Sequence, residues 1–203
     1  MSLFSAVADF LKPSPPPSPQ VLQALDRVAE LVDPLLKSAS GFERDLAQPV
    51  LHALGYCAGL VGGLPGPIDI NRESFSSDSL VHALFATADD IDQMLGRSQA
   101  VRDFVVVSER LESDHFHALF AARRHQKKQL GMARHGDVIH ADVPQEVIYF
   151  DDQLLIEPNC DLAVLEETLR LRTFDSLLFT FREHLDVLRL ERDGLRTDAS
   201  LER

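Results

Sequence analysis

One stretch of this chain, residues 115–158 (HFHALFAARRHQKKQLGMARHGDVIHADVPQEVIYFDDQLLIEP), lacks the helical apolar period that runs through most of the rest. Helical patterning on both sides of it points to an α+β class whose strands come from one contiguous piece. The expected fold is mainly helical, with a small antiparallel β-meander at about residues 115–158 and a long C-terminal helix.

Within the stretch, Glu146–Phe150 and Gln153–Ile156 read as two strands, rich in the branched and aromatic residues that suit a half-buried pleated surface. Asp151 and Asp152 between them tolerate left-handed backbone and mark a reversal. Pro144 and Pro158 bound the pair, since proline cannot donate to a ladder. Upstream, Phe116–Ala122 and Gln129–Ala133 pair around a turn at residues 123–128. Phe116, Leu119 and Phe120 also fit one helical face, so helix versus strand stays open for 115–133. Strands are preferred, because Gly131 and the polar run would interrupt a helix where it should bury surface. Gly136-Asp137 supplies a further turn.

The flanks read as helices. Leu3, Phe4, Val7, Phe10 and Leu11 share a stripe ahead of a proline-rich tether, so residues 1–19 form an amphipathic segment and linker. Ser18-Pro19 starts a helix whose stripe is Val21, Leu25, Val28, Val32 and Leu35, with Pro34 kinking its end. Ser40 to Glu43 has the spacing of a capping box for the next helix, with Phe42, Leu46, Val50, Leu54 and Val61 inward. Ile68 to Ile70 suggests a brief strand. Ser77-Asp78 caps one helix running to Gly96, and Ser98 caps another. Residues 20–160 are thus expected to form the core domain, and 161–203 a long helix. On that helix Leu171, Phe174, Leu178, Phe181, Leu185, Leu188 and Leu195 repeat at steps of three and four, a heptad seam of coiled-coil type.

The formal charge of -12 argues against a surface made to coat nucleic acid or anionic lipid. Cys57 and Cys160 are too few for a disulfide framework and fit a reducing, cytoplasmic setting. No apolar run reaches the length that spans a bilayer. The stretch GLVGGLPG (residues 59–66) lacks the lysine of a phosphate loop and follows a helix rather than a strand. No motif implies a cofactor or a covalent nucleophile. His115, His117, His135 and His140 are candidate metal ligands, with His125 and Asp114, Asp137 and Asp142 nearby, although no metal motif frames them. Arg123, Arg124, Lys127 and Lys128 form a basic turn. The preferred reading of it is an edge-protecting charge cluster, ahead of an acidic protein partner and then nucleic acid. The function class that best fits is a non-enzymatic interaction or assembly protein. It would act on a protein partner or on itself, as a homo-oligomer, through the heptad seam.

Overall fold

The computed structural model describes residues 16–108 and 115–201. The amphipathic stripe read at residues 3–11 lies outside the described residues. Two compact units divide the chain: one combines the residues up to Leu64 with those from Arg170 onward, and the other is Pro65–Leu169.

The first unit starts as its sequence suggests. Helix α1 (Pro19–Leu31) is capped by Ser18, whose side chain accepts from the Val21 N–H at 3.4 Å. Pro34 does not kink α1 but begins a short 3-10 helix (Pro34–Ser38), capped by Asp33. Helix α2 (Phe42–Gly62) lacks the expected Ser40 capping box. Gly41 caps it instead, at φ +87, a conformation glycine adopts without Cβ strain. The Arg44 and Asp45 side chains already crowd the space a Cβ would occupy there. Val21, Leu25 and Val28 of α1 and Val50 and Cys57 of α2 close on Phe174 and Leu178 of α7 (Leu162–Leu201), forming the core of this unit. Asp161 caps α7, accepting from the Ala163 N–H at 2.8 Å. Arg27 grips Asp175 with two hydrogen bonds of 2.8 and 2.7 Å, the forked geometry that fixes orientation as well as distance.

In the second unit, Ile68 and Ile70 form no strand and pack instead against a cluster of helical residues. The single helix expected from Asp78 to Gly96 is broken. Asn71 caps α3 (Arg72–Ser77), Asp78 caps α4 (Ser79–Leu84), and a Thr87–Asp90 capping box starts α5 (Ala88–Arg97). Phe85 is the reason: its backbone is extended and its ring is buried, so the chain leaves the helix to place that ring in the core. Ser98 then starts α6 (Gln99–Ser108), accepting from the Val101 N–H.

The α+β expectation holds, with a different internal layout. Residues 117–159 form one two-stranded antiparallel ribbon, β1 (His117–His135) and β2 (Val138–Asn159). Its one reversal is Gly136-Asp137, where Gly136 supplies the positive φ that a tight hairpin turn needs. The turns expected at 123–128 and 151–152 are not turns. Arg123 to Lys128 runs through the middle of β1, and Asp152 is a bulge in β2. Asp142, Asp152 and Glu157 all have positive φ, one at each of the three places where the register shifts. These three residues account for the greater length of β2. A left-handed Asp serves a bulge as well as a turn, so the same local chemistry marks both.

Burial of Phe174 predicts that Phe174→Ala lowers stability by about 3–5 kcal/mol in denaturant melts. Phe181→Ala, half exposed on the same helix, should change it far less. A second expectation concerns acid. The Asp33 carboxyl is held below the usual range, first by the Leu35 N–H and then by Arg189, whose guanidinium lies 2.8 Å away. Its contribution is therefore full above about pH 4 and is lost as the pH falls through the lowered folded value. Asp33→Asn should flatten the fall of Tm with pH below about 4, read by calorimetry.

Candidate interaction surfaces

Helix α7 presents the expected seam in two parts. Phe174 (2% exposed) and Leu178 are buried in the chain's own core, and Leu185 packs partly against it. Leu171, Phe181 (52%), Leu188 (45%) and Leu195 (70%) stand in solvent. The split follows which positions α1 and α2 reach, since Leu171 and Phe181 are exposed within one heptad of buried Phe174 while Leu185 still packs on the core. The exposed row gains Leu177, which the heptad reading passed over. The spacing Leu177, Phe181, His184, Leu188 follows the same three-four rhythm, interrupted by the polar His184.

The ribbon is the second surface. β1 carries Arg123, Arg124, Lys127, Lys128 and Arg134 with no carboxylate, and β2 carries Asp142, Glu146, Asp151, Asp152 and Glu157 with no Lys or Arg. Cross-strand pairs follow from this segregation: Arg123 to Asp152 at 3.0 Å, His125 Nε2 to Asp151 at 2.7 Å, and Lys128 opposite Glu146 in register. Gln126 also donates to Glu146. The basic residues therefore lie along one strand beside an acidic one, not on a turn. That removes the basis for a phosphate-straddling tip. Beyond the base, Leu130, Met132, Ile139 and Ile148 are exposed.

The histidines are spread along the ribbon. His115 and His117 meet edge to face at its base, His125 stacks on Tyr149 midway, and His140 lies near the tip. Among the described residues no group of three or more potential ligands is placed to hold a metal. The His125–Asp151 pair resembles an oriented base, yet among the described residues no hydroxyl or thiol is bonded to its ring. A half-open cleft of about 510 Å³ lies where α5 and the start of α6 meet β2. Its polar groups are engaged with each other or with neighbours: Asp90 caps α5, Gln93 holds Arg97, and Asp152 pairs with Arg123. No described helix is long and apolar enough to cross a membrane.

Compared with protein-family models, curated proteins and solved structures, the chain matches none of them.

The two thiols differ in environment. Cys57 is fully buried and its thiol is pushed up by that burial, so it holds little thiolate at neutral pH. Cys160 is partly exposed. Iodoacetamide on the native protein should label Cys160 well before Cys57, with mass spectrometry of the digests as the readout.

Proposed function

We propose that this is a non-enzymatic assembly protein that associates with a second copy of itself through the outer stripe of α7. The observation that carries the reading is the exposed row Leu177, Phe181, Leu188 and Leu195, on a helix that seats Phe174 and Leu178 in its own unit. A contiguous apolar stripe on a helix is covered in most stable assemblies. Charge favours a like partner. From Arg170 to the end, seven arginines balance seven Asp and Glu side chains, so the whole net charge of -12 lies elsewhere. Two such helices meet without net repulsion, and their mixed signs leave room for flanking ion pairs.

Sedimentation or light scattering tests this. The native chain should show a concentration-dependent mass above that of one copy, and Phe181→Asp with Leu188→Asp should return it to one copy while leaving the melting curve nearly unchanged. These positions are better probes than Leu185, whose replacement would also disturb the core. A single-copy mass for the native chain across the range would remove the reading.

A further inference from the structure

The ribbon presents a problem that its own fold does not solve. An isolated two-stranded sheet is at best marginally stable in water unless one face is covered. Here the base is covered: Phe120, Phe150 and Leu155 pack against the helical cluster around Val81 and Ile91. From the Arg124–Phe150 pair to the His135–Val138 pair the ribbon runs on for about 36 Å with only two strands. Alternation along β1 and the strand register put Leu130, Met132, Ile139 and Ile148 on the same face as Phe120 and Phe150. The face that is apolar and covered at the base carries these four uncovered towards the tip, alongside Arg124, Lys128, Glu146 and Arg134. Leu130, Met132, Ile139 and Ile148 are 66%, 74%, 67% and 48% exposed.

We propose that the distal ribbon pairs face to face with the ribbon of a second copy. The two arms run parallel, and Lys128 of each lies over Glu146 of the other. This surface is separate from the α7 stripe and does not rest on it. Charge and symmetry select the geometry together. A twofold axis along the ribbons exchanges left for right, so β1 of one copy covers β2 of the other. A twofold axis across the ribbons would stack β1 on β1 and place like charges together. In the parallel arrangement Lys128 and Glu146, level with each other within one ribbon, meet Glu146 and Lys128 of the second copy. Edge-to-edge pairing is opposed, since Lys127, Lys128 and Pro144 are of the kinds that blunt strand edges.

One ribbon face offers roughly 400 Å² per copy, about half of a standard interface. Arm pairing should therefore be a concentration-dependent equilibrium. Its readout is the distance between spin labels at the tip, placed by Asp137→Cys in a Cys160→Ser background, with Cys57 protected by burial. The expected result is a short tip-to-tip distance, on the order of the ~10 Å between stacked sheets plus the label arms. Lys128→Glu alone and Glu146→Lys alone should each abolish it. An equimolar mixture of the two should restore it, because each altered strand then meets its complement. Restoration also shows that both variants are folded. No short distance in the native arm, no loss in either variant, or no recovery on mixing would each overturn the proposal. Parallel labelling of the α7 variants separates the readings, since loss of association through α7 alone leaves the tip distance short.

Discussion

The seating of α7 by Phe174, Leu178 and the forked Arg27–Asp175 contact decides most of what this molecule can present to others. Two buried apolar side chains one turn apart fix the depth of a helix in its groove, but they permit some rotation about its axis. A guanidinium holding both oxygens of one carboxylate favours one orientation within that range. With that orientation favoured, so is the outward stripe. Leu177, Phe181 and Leu188 are exposed as a consequence of where Phe174 is buried. Asp33 and Arg189 add a second tie further along the helix, again between residues distant in sequence.

The ribbon is organised by a different means. The observed register carries Arg123–Asp152, His125–Asp151 and Lys128–Glu146 together, and covering of Phe120, Phe150 and Leu155 at the base fixes which face each strand turns inward. The three acidic residues at positive φ add to this by placing bulges at fixed points, which bend the arm and pin the pairing.

Much of this was legible in the residues, and the failures are as instructive as the successes. Ser18, Asp78, Ser98 and Asp161 mark helix starts that the structure confirms, because a cap is a local event settled by a few neighbouring atoms. The tight turn at Gly136-Asp137 was visible for the same reason. Arg123 to Lys128 and Asp151-Asp152 were misread as turns because local chemistry cannot distinguish a reversal from a bulge, or a charged loop from a charged strand whose partner lies 20 or more residues away. The capping box at Ser40 failed because Gly41 beside it met the same need with its backbone alone. Of the expected heptad seam, Phe174 and Leu178 are buried while Phe181, Leu188 and Leu195 are exposed. Which residues of a seam face inward depends on the groove that receives them, and that groove is built from α1 and α2, more than a hundred residues earlier.

The distribution of charge joins the two proposed surfaces. A chain of formal charge -12 resists meeting its own kind over most of its area. The terminal segment from Arg170 is neutral, and the ribbon strands balance five against five. Both carry uncovered apolar side chains, as does the uncharged end of α2 with Leu51, Tyr56 and Leu60. Acidic surface elsewhere would then act as a filter, suppressing non-specific collapse between copies while leaving contact open where apolar surface and neutral charge coincide. An arrangement of that kind needs no catalytic group. Its specificity would reside in where the repulsion stops, and in the strand-by-strand charge order that allows one ribbon to recognise another only when both point the same way.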